Sequence, residues 1–188
     1  MQNHADAPDN SPKTSTVLET NRLRLRLISA DDAGFVLRLL NEPSFIQNIG
    51  DRNVRTLDDA LAYIAKGPAA SYEKHGFGLW LVETKESSDP IGMCGLLKRD
   101  VLEDVDIGYA LVPEFWAQGY ALESASAVLS YANTKLGLKR VAAVVNAENQ
   151  SSIRLLEKMG FKFERMVRLS EDASEIKLYA AQTALHQE

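Results

Sequence analysis

From Val105 to Val145 the chain reads strand, long helix, strand, and this stretch limits the fold more than any other. Val105–Leu111 has the pattern of a strand. Gly119–Leu136 places Ala121/Leu122, Ala125, Val128/Leu129, Ala132 and Leu136 on one helical face, with Gly137 set to end the helix. Val141–Val145 is a short β-branched run of the kind that fills a buried strand. A helix of that length between two strands is a crossover connection, and it makes the strands parallel neighbours. The expected class is therefore α/β, a mixed sheet with a parallel crossover.

The flanking segments predict antiparallel strands and helices. Leu23, Leu25 and Leu27 alternate with Arg22, Arg24 and Arg26, the period of a half-buried strand whose arginines form its wet face. Ser29 and Asp31 offer caps for a helix to about Asn41, with Phe35, Val36, Leu39 and Leu40 as its apolar stripe. Thr56 and Asp58 start a second helix carrying Leu61, Ile64 and Ala65, with Gly67-Pro68 close to its end. Gly78–Glu83, Ile91–Lys98 and Val105–Leu111 read as strands joined by hairpins at Ser87–Pro90 and Asp100–Asp104. Ser151–Met159 reads as a helix stopped by Gly160, and Phe161–Arg168 and Glu175–Tyr179 as closing strands. Residues 1–16 are polar and predict a mobile tail, residues 17–182 a single domain, and residues 183–188 a frayed end.

Composition removes several classes of function. A chain of 188 residues buries roughly 70% of its unfolded surface, so it needs neither disulfide nor metal to hold one domain together. Cys94 is the only cysteine, which excludes an intrachain disulfide and a thiolate zinc cluster. His4, His75 and His186 are scattered and no HExxH occurs, so no metal is expected. The net charge of −5 argues against nucleic-acid binding through a general basic surface and mildly favours a cationic partner. No secretory signal opens the chain and no run approaches about 18 apolar residues, so no membrane association is expected and the compartment predicted is the cytoplasm.

The segment Leu111-Val-Pro-Glu-Phe-Trp-Ala-Gln-Gly-Tyr-Ala-Leu-Glu123 carries the chemistry. A strand ends, a turn follows, and a helix opens on Gly119. The first amides of a helix lack internal partners and face whatever lies above the terminus, where the helix dipole favours negative charge. Such a segment is a phosphate cradle, or a capped helix with a turn glycine. GxxxxGK(S/T) and GxGxxG are both absent, so it is neither a Walker loop nor a dinucleotide fingerprint. A second segment, Val145-Asn-Ala-Glu-Asn149-Gln-Ser-Ser152-Ile-Arg-Leu-Leu-Glu-Lys158-Met-Gly160-Phe161, follows about 25 residues later and discriminates between these readings.

Taken together these segments resemble the GNAT family of acetyl-CoA-dependent N-acetyltransferases, most closely the branch of bacterial ribosomal-protein N-terminal acetyltransferases. The resemblance covers about Leu18–Ala180 and includes Leu18–Arg26, Pro90–Gly95, Asp106–Tyr109, Trp116–Glu123 and Asn149–Phe161. It implies that the family's loop, Gln/Arg-x-x-Gly-x-Gly/Ala, is Trp116-Ala117-Gln118-Gly119-Tyr120-Ala121 here, with the amides of Ala117–Ala121 on the CoA pyrophosphate. Trp116 stands at the usual Gln/Arg position, and Gln118 where relatives often have Lys or Arg. The backbone of Leu111 and Val112 and the side chain of Asn149 are implied to hold the pantetheine arm.

The resemblance also implies the chemistry: direct acetyl transfer to a primary amine, without a covalent enzyme intermediate. Asp106 matches a position where the branch often carries a carboxylate, and is either a proton relay or part of a solvated cluster with Glu103 and Asp104. The tyrosine that many GNAT enzymes use to protonate the thiolate falls on Leu156, leaving Ser152 and Tyr109 as donors. Arg154 and Lys158 are candidates for the 3′-phosphate, and Trp80, Phe45 and Tyr72 for the acceptor pocket or the core. Cys94 reads as core. The expected acceptor is a protein or peptide N-terminal α-amine, whose pKa of about 8 makes it easier to deprotonate than a lysine at about 10.4. The alternatives are a small amine such as a polyamine or aminoglycoside, or an acyl-CoA-binding regulatory module. A monomer or a homodimer is expected.

Overall fold

Leucine–arginine alternation builds one end of the sheet. In the computed structural model, which describes residues 15–183, β2 (Leu23–Arg26) buries Leu23 and Leu25 and turns its arginines the other way. It lies between β1 (Thr16–Glu19) and β3 (Leu79–Thr84), antiparallel to both. β3, β4 (Pro90–Leu97) and β5 (Asp106–Leu111) continue as an antiparallel meander. The chain then crosses over through α5 (Tyr120–Thr134) to β6 (Arg140–Val145), the only strand parallel to its neighbour among the described residues. Helix α6 (Gln150–Lys158) leads to β7 (Lys162–Val167) and β8 (Ile176–Gln182), which close the order β1-β2-β3-β4-β5-β6-β8-β7. The expected mixed sheet with one parallel crossover is present.

Apolar residues leave both faces of this sheet, so helices cover both. On one face Leu23, Leu25, Trp80, Cys94 and Ile107 pack with Val128 of α5 and Ile153 and Leu156 of α6. On the other, Leu81, Met93 and Val112 meet Val36, Leu39 and Leu40 of α1 (Ala33–Leu40), Phe45 of α2 (Pro43–Asn48), and Ala60 and Ile64 of α3 (Leu57–Ile64). Cys94 is core, as expected, and burial pushes its thiol up to about 12. Trp80 and Phe45 are core as well. Tyr72 donates its hydroxyl to the Leu79 carbonyl and accepts from the Ile28 amide at 3.2 Å, a packing role.

Three features depart from the sequence reading. The helix begun by the Thr56–Asp59 capping box does not stop near Gly67-Pro68. It widens into a π-helical segment, Ala65–Ala69, and continues as α4 (Ala70–His75) to Gly76. Pro68 has no amide proton and its ring crowds a normal α-turn, so a wider turn accommodates it. Second, Arg26 is not on a wet face: its side chain is 13% exposed and paired with Asp32 at 2.8 Å and Glu83 at 2.7 Å. Third, Thr16 begins β1 and the Ser15 carbonyl accepts from the Leu27 amide at 3.1 Å, so the ordered sheet starts inside the segment read as tail. The rest of that segment, residues 1–14, lies outside the described residues, as do residues 184–188. Thr183 is buried and its amide donates to the Lys139 carbonyl at 2.9 Å.

Candidate functional site

The site begins where the parallel pair comes apart. β5 and β6 are in register only at Asp106 and Ala142, while β6 is paired with β8 from Arg140 to Val145. Past that point β5 has no strand partner on its β6 side, so a cleft opens toward Leu111. The Val112 amide donates to the Ile91 carbonyl at 3.0 Å, which fixes the phase of the β4–β5 ladder. Alternate residues of an antiparallel pair turn their backbone groups the other way, so Tyr109 and Leu111 face the cleft and Val112 does not. The Leu111 carbonyl accepts the Trp116 indole N–H at 2.7 Å. That leaves the Leu111 amide and both backbone groups of Tyr109 facing the cleft. An extended, amide-bearing arm adds to such an edge as a further strand would.

At the mouth of the cleft the chain folds into a concave run of amides. After a 3-10 turn at Pro113–Phe115, Ala117 has φ 57° and Gly119 φ 82°. Alternating left- and right-handed residues turn successive N–H groups inward, and the N-terminus of the fifteen-residue α5 follows at once. A left-handed alanine costs about 1–2 kcal/mol, so the surrounding structure must hold Ala117 in place. Arg22 does much of this. Its Nη1 donates to the Gln118 carbonyl at 2.9 Å, its Nε to Glu123 at 2.7 Å, and its guanidinium lies 4.3 Å from the Tyr120 ring centre. The Arg22 amide and the Thr20 hydroxyl also donate to Glu123, at 2.9 and 2.5 Å. Although burial works to raise the Glu123 pKa, these donors hold it below the ordinary value. A Cβ on Gly119 would stand 3.3 Å from Arg22 Nη2, so glycine is favoured there by space as well as by φ.

The sequence reading treated Arg22 as part of a wet strand face. In the structure it sets a cation beside the amide run, where Gln118 provides none and instead donates its side-chain amide to the Glu114 carbonyl at 2.9 Å. The signal was present as Glu123 in the first turn of the helix, an anion needing a partner, but nothing local says that the partner lies 101 residues away.

Two polar pairs flank the cleft. Asp106 is 1% exposed and accepts from Arg99 Nε at 3.1 Å on each carboxylate oxygen. It is therefore not a member of a solvated acidic cluster. Burial raises its pKa, and the Arg99 guanidinium opposes that rise without cancelling it. Tyr109 Oη lies 2.8 Å from Ser152 Oγ, so the two expected donors meet. Burial pushes the tyrosine up to about 12, with the serine hydrogen bond opposing. Residues 106 and 109 differ by an odd number along one strand, so the two pairs sit on opposite faces of the sheet.

The remaining candidates divide. Asn149 caps α6, its Oδ1 accepting from the Ser152 amide at 3.1 Å and the Ser151 hydroxyl at 2.9 Å. Its Nδ2 forms no hydrogen bond among the described residues. Leu156 is 1% exposed and packs in the core, so the position of the usual tyrosine is filled by apolar contact. Arg154 and Lys158 lie on the exposed side of α6. The amide run, the Arg22 cation and the open β5 edge together fit a phosphorylated co-substrate with an amide-bearing arm.

A split mixed sheet with a run of amides at the mouth of the split is the arrangement to be matched against known proteins. The comparisons with known proteins give the family. The chain belongs to the GNAT acetyltransferases, since the family described as "Acetyltransferase (GNAT) domain" matches residues 22–162. It is 36% identical over 154 residues to the uncharacterized N-acetyltransferase YoaA of Bacillus subtilis (strain 168), covering 81% of this chain and 86% of that protein. Among solved structures it is similar to RimL, the ribosomal L7/L12 alpha-N-protein acetyltransferase in complex with coenzyme A. That likeness has a TM-score of 0.77 and 16% identity, over 89% of this chain and 98% of the other. A spermidine N-acetyltransferase SpeG chimera from Vibrio cholerae and hSSAT gives a TM-score of 0.69 and 19% identity, over 86% and 95%. The protein is an acetyl-CoA-dependent N-acetyltransferase.

Proposed function

We propose that the acceptor is the N-terminal α-amine of a peptide or protein. RimL and the SpeG chimera share the fold at low identity and by their names act on different amines, so likeness does not choose the acceptor. The observation that carries the choice is Asp106: a buried carboxylate paired with Arg99, its pKa raised above the ordinary value by burial. A carboxylate is a weak base and suits best an amine that gives up its proton near neutral pH. An α-amine at about 8 loses it with roughly two pKa units less penalty than a lysine at about 10.4.

Acetyl-CoA, when bound, supplies the acetyl group as a thioester. The chain's own residues do the rest. The amides of Ala117–Ala121, with Arg22 beside them, hold the pyrophosphate. The Leu111 amide, the Tyr109 backbone and Asn149 Nδ2 align the arm. Asp106 takes the proton from the α-ammonium, directly or through water, so that the neutral amine attacks. Tyr109 Oη, oriented by Ser152 Oγ, gives a proton to the leaving sulfur, and the second proton that the nitrogen loses as the amide forms restores the phenol through water. At a pKa of about 12 that phenol is protonated throughout the working range.

Thiol release from acetyl-CoA, measured over a panel of amines, tests this reading. Peptides with a free N-terminus should react faster than N-blocked peptides that contain a lysine, and faster than spermidine. Preference for spermidine would make the protein a small-amine enzyme. Binding of CoA with no turnover on any amine would make it a binding module.

A further inference from the structure

On the α3–α4 side of the sheet a cavity of about 360 Å³ lies between the helical segment around Tyr63–His75 and the end of β4. Lys66, Lys74, His75, Lys98 and Arg99 line it, and no Asp or Glu does. In a chain with a net charge of −5, a hollow lined only by basic groups among its titratable side chains of formal charge runs against the whole molecule. Arg99 is matched by Asp106, and the Lys98 ammonium donates to the carbonyls of Leu102 and Glu103 at 2.9 and 2.8 Å, which leaves its charge uncompensated. Among the described residues neither Lys66 nor Lys74 forms an ion pair.

The cavity adjoins the reaction strand. Leu79 and Leu97 line it, and their methyl groups lie 3.5 and 2.7 Å from where a Cβ on Gly108 would stand. Gly108 sits on β5 between Asp106 and Tyr109, and Arg99 belongs both to the cavity wall and to the Asp106 pair.

We propose that this cavity is the acceptor subsite, and that it selects an amine carrying an anionic group close to the nitrogen. The proposal rests on the reading of the protein as an N-terminal acetyltransferase, and for a peptide it means Asp or Glu side chains in the first few residues after the reacting amine. The anion lies among Lys66, Lys74 and Lys98, which leaves the amine directed toward Asp106. A polyamine places like charges in the same hollow and is disfavoured. Solvent-exposed ion pairs contribute little singly, so two or three together give about a tenfold preference, sensitive to salt.

The test compares peptides that share an N-terminal serine and differ only at the next two positions, Glu-Glu, Gln-Gln or Lys-Lys. The expected order of kcat/KM is acidic, neutral, basic, with the acidic-to-basic ratio at least tenfold, carried by KM and shrinking in high salt. In a Lys66→Glu/Lys74→Glu double variant that ratio should fall below one, with acetyl-CoA affinity by calorimetry as the folding control. Equal kcat/KM for all three peptides, or an unchanged ratio in the folded double variant, overturns the anionic subsite and leaves the N-terminal reading standing. Glutamate and phosphoserine against spermidine form a separate arm. Turnover of the first two with no peptide reacting would remove the N-terminal reading and keep the subsite, while preference for spermidine would remove both. If no amine reacts, calorimetry with the N-acetylated acidic and basic peptides still decides, since only the acidic one should bind wild type.

Discussion

β5 carries two polar pairs three residues apart, and burial acts on them in the same direction with opposite consequences. For Asp106, an upward shift brings the carboxylate nearer to working pH and makes it a better proton acceptor, while Arg99 keeps the shift in check. For Tyr109, an upward shift to about 12 removes the phenol from titration and leaves it a standing donor. Strand alternation puts the acceptor on the α3–α4 face and the donor on the α5–α6 face. Under the proposed roles, one strand separates proton removal from proton return.

The largest expected effect breaks the acceptor pair alone. Asp106→Asn should retain acetyl-CoA binding and lose at least tenfold in rate below the amine's pKa, general-base catalysis being typically about 10²–10⁴-fold. The deficit should shrink as pH approaches that pKa, because more amine arrives neutral. Arg99→Gln sharpens the point. Arg99 lowers the Asp106 pKa, so its loss should raise that pKa further and move the acid limb of the rate profile to higher pH. An Asn variant whose pH–rate profile overlays wild type would remove Asp106 from the chemistry.

Next comes a change that touches neither pair. Gly119→Pro cannot adopt φ 82° and removes an amide from the cradle, so CoA should bind roughly ten- to a hundredfold more weakly by calorimetry. Unchanged affinity in a folded variant would contradict the cradle. Arg22→Gln should weaken CoA by roughly three- to tenfold, since its side chain is 47% exposed and water screens part of its charge. Its signature is a raised KM for acetyl-CoA with little change in kcat; a fall in kcat alone would show that Arg22 acts elsewhere.

The smallest effects belong to the donor pair. A CoA thiolate leaves readily without help, so Tyr109→Phe should cost about tenfold or less in kcat, below the usual range for general acids, and Ser152→Ala less still. Stopped-flow or steady-state thiol release at saturating substrate reads both. A Tyr109→Phe loss as large as that of Asp106→Asn would reverse the ranking of the two pairs.

Local patterns were readable because the physics behind them is local. The α5 stripe, the Gly119 helix start and the Gly160 stop each involve residues within a few positions of one another, and the structure has them at Tyr120–Thr134 and Gln150–Lys158. The crossover length alone implied the parallel pair of β5 and β6. What escaped involves partners far apart in sequence. Arg22 and Arg26 look identical along the alternating strand, yet one binds the Gln118 carbonyl and Glu123 at the start of α5 and the other is buried between Asp32 and Glu83. A proline in mid-helix reads as a stop, and only the surrounding packing keeps α3 and α4 continuous through the π-turn at Pro68. In the site, the meeting of Tyr109 with Ser152 was foreseeable only as two separate candidates, because they are 43 positions apart in sequence. The engagement of Val112 in the sheet depends on ladder phase, which a sequence does not print.

One peptide distinguishes an α-amine from a lysine side chain as the group that receives the acetyl. A peptide with a free N-terminal serine, two acidic residues and an internal lysine is incubated with acetyl-CoA and the protein near neutral pH, and the product is fragmented by mass spectrometry. A single added acetyl group on the N-terminal nitrogen is expected, formed at least tenfold more slowly when Asp106→Asn replaces wild type at the same pH. Acetylation of the lysine side chain, with the N-terminus left free, would contradict it.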